Sequence, residues 1–210
     1  KRVVTRILDD WDHTSKNRFF NAILTAGLKK RVIDYYHEFK RQIAEREINF
    51  NVAMTFSMGD ENDPSVNDKA AYAEMFDDYE AFTGIHFDVN DPKNGVDAYF
   101  VDLITRAARG GSARNSQNID LVIVADQMLT GYDSKYLNAL YVDRSLELQG
   151  LIQAYSRTNR VYGKDKEFGS IINFQYPRIT EDNVHRALAL YSSGGENSKA
   201  IVDEYDVAVA

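Results

Sequence analysis

Apolar residues in this chain recur with two alternating periods. Short continuous runs of strand length, FFNAILTAG (Phe19 to Gly27), FNVAMTFS (Phe50 to Ser57), IDLVIVAD (Ile119 to Asp126), LNALYVD (Leu137 to Asp143) and FGSIINF (Phe168 to Phe174), read as strands, IDLVIVAD as one buried on both faces and FGSIINF as another buried one. Between them lie stretches of helical period. Leu28, Val32, Ile33, Tyr36, Phe39 and Ile43 mark one helix, residues 69 to 82 and 96 to 109 two more, and a further one opens near Ser145, which is placed to cap it. EDNVHRALALYSSGG reads as a last helix closed by Gly194 and Gly195. Five strands alternating with helices predict an α/β fold with a doubly wound parallel sheet, and the first strand, helix and second strand read as a right-handed β-α-β unit.

The ends are less regular. Lys1 to Arg18 is charged and irregular and reads as a connector from an upstream domain or the end of a helix from it, residues 19 to 194 as one domain, and 195 to 210 as the start of a following helical element. Within the domain, residues from about 58 to 110 form an acidic helical insert, opening with the polar loop GDENDPSVND. Its aromatic stripe Tyr72, Phe76 and Tyr79 is read as core before it is read as a base-stacking platform, and its acidic run as a solvated face before a docking surface.

Composition narrows the function classes. At 210 residues and 44% hydrophobic the chain can bury one sizeable core. It has no cysteine, which excludes a disulfide framework and a thiolate metal site, and its four histidines do not pair at metal-ligand spacing. No apolar run reaches the length of a membrane span and no signal-peptide core follows the start, so a cytoplasmic protein is expected. The net charge of −7 is unevenly spread. Residues 60 to 102 hold twelve acidic and two basic side chains, a local −10 that leaves the remainder at +3. A nucleic-acid footprint belongs on that remainder.

The candidate chemistry gathers between Ile119 and Val161. LTGYD follows a buried strand, at its carboxyl end, where open parallel sheets place ligands. Gly131 permits a positive φ or a close backbone approach, Thr130 offers a hydroxyl and an N–H, and Asp133 can accept from a ribose hydroxyl or from an arginine. Gln153, Arg157 and Arg160 stand at i, i+4 and i+7, one face of the predicted helix, with Leu148, Ile152 and Tyr155 on another face for packing. Two arginines on a helix are most simply surface charge; on this face, beside this loop, they have the form of a phosphate clamp.

QAYSRTNR, Gln153 to Arg160, resembles motif VI of the superfamily 2 helicases and translocases, with Ser156 where glycine is usual, and Thr130 to Asp133 resembles their motif V. The fuller wording, IVADQMLTGYDS, LYVDRSLELQGLIQAYSRTNRVY and FGSIINF, is similar to the motor subunit, R, of type I restriction enzymes over roughly residues 19 to 191. The resemblance implies a RecA-like sheet with helices on both faces, the second motor domain of a P-loop ATPase. It implies that Arg160 is an arginine finger, Arg157 a γ-phosphate ligand and Gln153 a coupling residue, with Gly131 and Asp133 on the nucleotide side. It also implies that Thr130 and Gly131 touch the DNA backbone, joined by Thr25 and Gly27 at the motif IV position.

The sequence contains no GxxxxGK[ST] and no DExH or DEAD box, so this chain is not expected to hold a nucleotide or be active alone. ATP and Mg²⁺ would be bound mainly by a first RecA-like domain of the same polypeptide. The string Glu38-Phe39-Lys40 has the form of a nuclease E-x-K but falls on a predicted helix, and the nuclease is expected elsewhere in the subunit. The expected partners are double-stranded DNA and the modification and specificity subunits. Another superfamily 2 motor, acting on RNA or in repair, and a non-catalytic interaction module are the alternatives.

Overall fold

The computed structural model describes residues 1–59, 67–109, 117–125, 132–146, 150, 153, 156–158, 160–175 and 182–183. Its centre is a five-stranded sheet, β1 (Asn21–Ala26), β2 (Val52–Thr55), β3 (Leu121–Val124), β4 (Leu137–Asp143) and β5 (Ser170–Asn173). The order is β2-β3-β1-β4-β5, and every neighbouring pair is parallel. All five predicted strands are present. Each residue of β1, β2 and β3 is buried, so both faces of the sheet are covered, as unbroken apolar runs require. The predicted β1–helix–β2 unit is present with one difference: β3 returns to lie between the two strands.

The long helix α3 (Lys29–Arg46) carries the predicted period, with Val32, Tyr36 and Phe39 buried. Leu28 departs from expectation. It has an extended backbone at the N-cap and is 56% exposed, whereas Lys29 turns inward to Asp68 at 2.9 Å. Helices α4 (Asp68–Thr83) and α5 (Val96–Ala107) lie where the pattern put them. Tyr72, Phe76 and Tyr79 are all buried in the core, and Tyr72 and Tyr79 each pack on Tyr99 of α5. The acidic run is partly a docking face for this chain's own α3. Glu74 takes Lys40 and His37, each at 2.9 Å, and Asp78 takes Tyr36 and Lys40. Glu38 and Lys40 are thereby engaged, Glu38 by Arg41, and the E-x-K string is a structural coincidence.

The opening segment is not irregular. It forms α1 (Arg2–Asp9) and α2 (Trp11–Ser15), whose Val4, Ile7, Leu8 and Trp11 are part of the core. Spacing explains it: those four positions follow the helical period, and the charges between them face water. After α2 the chain reverses through three consecutive left-handed residues, Lys16, Asn17 and Arg18. None is glycine, so the turn costs about 1 kcal/mol or more per residue. Arg18 is held on both sides. Its N–H donates to the Ser15 hydroxyl at 2.8 Å, and its guanidinium forms a two-point bond to Asp120 at 2.8 and 2.6 Å.

Asp120 is 2% exposed, and burial raises its carboxyl above the usual pKa range. It also accepts the Asn51 N–H at 2.7 Å. Removing this carboxylate takes away the acceptor that the Arg18 guanidinium and the Asn51 N–H share at the edge of the core. Asp120→Ala is therefore expected to cost about 3 kcal/mol, read as a lower urea midpoint.

Candidate functional site

The chain leaves β3 at Val124, and residues 126–131, which include Thr130 and Gly131, lie outside the described residues. It is described again at Tyr132, which is buried with its carbonyl toward Arg157: the guanidinium Nη1 donates to that oxygen at 3.2 Å. Burial pushes the Tyr132 hydroxyl up to about 12, with Ser134 and Asn21 as the polar groups beside it. Asn21 is the first residue of β1, and its N–H donates to the Tyr136 carbonyl at 2.9 Å. Residues 132 to 136 thus run along the amino ends of β1 and β4. The part of the loop that is described does not stand at the carboxyl end of β3, where the sequence pattern puts it.

Asp133 and Arg160 form an ion pair there, the carboxylate 41% and the guanidinium 61% exposed. Gln153 is helical and exposed, but Ser156 to Thr158 form a turn and Arg160 lies outside any helix. The three residues therefore do not share one helical face. The local reason is visible at Ser156, whose hydroxyl donates to the Gln153 carbonyl at 2.9 Å and serves an acceptor that the turn would leave open. The serine that replaces the usual glycine is exposed and has no positive φ, so the site accepts it. What joins the arginines is the Tyr132–Asp133 segment, which each of them grips. Leu148, Ile152 and Tyr155 lie outside the described residues.

Thr158, between the arginines, is 1% exposed. It packs on the backbone of Gly169, where an added Cβ would stand 2.3 Å from both the Thr158 Cβ and its carbonyl oxygen. Between these contacts runs a small hairpin, with Tyr162 and Lys166 bridged antiparallel and Gly163 left-handed at its tip. The Tyr162 ring joins Phe19, Phe20 and Tyr136 at centroid separations of 5.5, 6.0 and 5.3 Å. Lys166 is buried, donates to the Leu137 carbonyl at 2.7 Å, and is driven down to about 8 by desolvation. Sequence reasoning passed over Thr158, Lys166 and Gly169. A glycine directly ahead of a strand was the available signal, and that strand, β5, expected to be buried, is only half-buried at the edge of the sheet.

Thr25 and Gly27 are not part of this cluster. They sit at the carboxyl end of β1, the opposite edge of the sheet. Thr25 is fully buried and its hydroxyl donates to the Ala125 carbonyl at 3.2 Å, a structural commitment that removes it from any surface. Gly27 is exposed. Among the described residues there is no group of three or more side chains able to hold a metal, and no helix long and apolar enough to cross a membrane.

Residues 18–176 match the family model for type I restriction enzyme subunit R domain 3. The chain belongs to this family. Among curated R-subunit relatives it is 34% identical to the type I restriction enzyme SauMRSORF196P endonuclease subunit of Staphylococcus aureus, over 98% of this chain and 22% of that protein. A 28% portion of the chain is 48% identical to the putative MjaVIIP endonuclease subunit of Methanocaldococcus jannaschii, where it covers 5%. This R-subunit domain thus spans about a fifth of the length of the Staphylococcus relatives. Two solved structures are similar in shape. One is the ATP-dependent Type ISP restriction-modification enzyme LlaBIII bound to DNA (TM-score 0.49, 13% identity, 88% of this chain and 11% of that one). The other is Mss116p DEAD-box helicase domain 2 bound to an RNA duplex (0.47, 12%, 96% and 55%).

Two substitutions in this R-subunit domain have definite expected outcomes. Gly169→Ala forces Thr158 and the arginine turn away from β5, at a cost of about 1–3 kcal/mol measurable by denaturation. Lys166 binds its proton less tightly folded than unfolded, so its burial penalty is present below pH 8 and is relieved as pH rises from about 8 toward 10.5. Stability is expected to climb across that window by about 3 kcal/mol relative to Lys166→Met, in paired urea titrations.

Proposed function

We propose that this domain is the second half of an ATP-dependent double-stranded DNA translocase within the R subunit. It supplies arginines to a nucleotide held mainly, with Mg²⁺, by a first RecA-like domain of the same polypeptide. DNA cleavage then falls to another part of the subunit, and sequence choice to the specificity and modification subunits.

One observation carries the reading: Arg157 and Arg160 both converge on the Tyr132–Asp133 segment, from a turn anchored by a buried threonine. Guanidinium groups have the donor set that a triphosphate requires, always charged and fixed in a planar fork. Arg160, more than half exposed beside Asp133, acts as the finger that meets charge developing on the γ-phosphoryl oxygens. Arg157, fixed through the Tyr132 carbonyl, is the γ-phosphate ligand, and exposed Gln153 couples the two edges of the site. Asp133 holds the Arg160 guanidinium until nucleotide arrives and then accepts from the ribose. Thr130 and Gly131, with Gly27 at the far edge of β1, contact the DNA backbone. Thr25 supports the sheet instead.

The test is DNA-stimulated ATP hydrolysis by the intact R subunit in its complex, on duplex DNA carrying a recognition site. Arg160→Ala is expected to lower turnover by about a thousandfold, on the order of 4 kcal/mol, with folding intact. Unchanged turnover would leave the arginines as surface charge and sink the motor assignment.

A further inference from the structure

Arg160 owes its placement to the chain on either side of it. It lies outside any helix, and its exposed ion pair with Asp133 is too weak to fix it. Two residues earlier, Thr158 is buried against Gly169; two residues later, Tyr162 opens the hairpin. That hairpin is closed on itself, the Tyr162 N–H donating to the Lys166 carbonyl at 2.8 Å and the Asp165 and Lys166 N–H groups donating back to the Tyr162 carbonyl at 3.1 and 3.2 Å. It is also held from the far end of the sequence. The Lys16 ammonium donates to the Asp165 carbonyl, and the Phe19 and Phe20 rings stand against the Tyr162 ring. Lys16 is the first of the three left-handed residues and Phe19 follows the last of them. The helix before the turn is pinned in its own right, since the Asn138 side chain of β4 donates to the Thr14 carbonyl at 2.8 Å.

We infer that the left-handed turn Lys16–Arg18 is a positioning element for Arg160, and that Lys16 is a positioning residue acting through the Asp165 carbonyl. The inference rests on the arginine role proposed above and adds to it the device that holds the fork in register. Three consecutive non-glycine residues in the left-handed region are strained, and strain that the surroundings keep in place marks a segment whose shape is used. Here the shape delivers one ammonium and two rings to the same hairpin. Only Val161 separates Arg160 from Tyr162, so a hairpin released at Asp165 shifts the backbone that carries the guanidinium. A group that orients a reaction tolerates little displacement: about 1 Å can cost about a hundredfold in rate. Lys16 itself is exposed, and its stem lies 6.0 Å below no core residue but beside the Phe20 ring, so removing its charge leaves the core untouched.

The experiment is DNA-stimulated ATP hydrolysis by the intact R subunit in its complex, comparing wild type with Lys16→Met, Lys16→Arg, Arg160→Ala and the double variant Lys16→Met/Arg160→Ala. Lys16→Met keeps an unbranched side chain and removes the donor. It is expected to lower kcat about tenfold with KM for ATP and duplex DNA affinity unchanged, the pattern of a contact that matters only in the transition state. Lys16→Arg, which can still donate to the Asp165 carbonyl, is expected to recover most of the loss. In the Arg160→Ala background Lys16→Met is expected to have no further effect, because a residue that acts through Arg160 has nothing left to position. Unchanged kcat in Lys16→Met, even with a lowered urea midpoint, overturns the inference by showing a merely structural lysine. So does a Lys16→Arg no better than Lys16→Met, or a loss that persists in full without Arg160. An inactive Arg160→Ala beside an unaffected Lys16→Met removes only the positioning role, whereas a fully active Arg160→Ala removes the motor reading and this inference with it.

Discussion

The carboxylate of Asp120 is the constraint on which the amino edge of this sheet depends. It is taken out of water at the start of β3 and is compensated by two partners, the Arg18 fork and the Asn51 N–H. Its backbone is committed as well, donating to the Asn51 carbonyl and accepting from Ala22, each at 2.9 Å. One residue thus ties together the entries to β1, β2 and β3. Its bond to Arg18 holds a left-handed turn that the local sequence alone would not choose. Phe19 and Phe20 come directly after that turn, and through their rings it also sets the position of Tyr136 and Tyr162. A buried charge with few partners is poor stabilisation for its own sake; its value here is that it admits one arrangement.

The site is built on that edge from weak local preferences made definite by packing. Arg160 and Asp133 are both well exposed, and an ion pair of that kind contributes little to stability. What positions it is the set of contacts behind it. Thr158 lies against a glycine that has no room for a methyl group, and Tyr132 is buried with its carbonyl turned to Arg157. The exposed groups remain available for other partners because their placement does not depend on the bond between them.

The strands were legible because each is an unbroken apolar run of the right length, and α3, α4 and α5 because their periods are clear over three turns or more. The arginines could be singled out from residue type and order without any geometry. Their arrangement could not. A helical period predicts a shared face for Gln153, Arg157 and Arg160, but Ser156 to Thr158 form a turn, Arg160 stands outside any helix, and Thr158 is packed on Gly169. Thr25 and Asp133 lie at opposite ends of the sheet because Thr25 is near the end of β1 whereas Asp133 stands four residues before β4, which runs parallel to it; the loop pattern is weighed only against the strand before it. In Lys1 to Arg18 the irregular reading gave way to the helical one, because four apolar residues are spaced for a helix among the dense charges.

Strand β1 runs through the middle of the molecule with Asn21 beside Tyr132 at one end and Gly27 just past the other. Five buried residues separate the two, and four of them, Ala22 to Thr25, are paired with a parallel neighbour on each side. At about 3.3 Å per residue this is a strut close to 20 Å long. A strut so braced neither stretches nor bends under forces that would shift a loop. A push along it at one end is therefore carried to the other with little change in the shape of the strand between them.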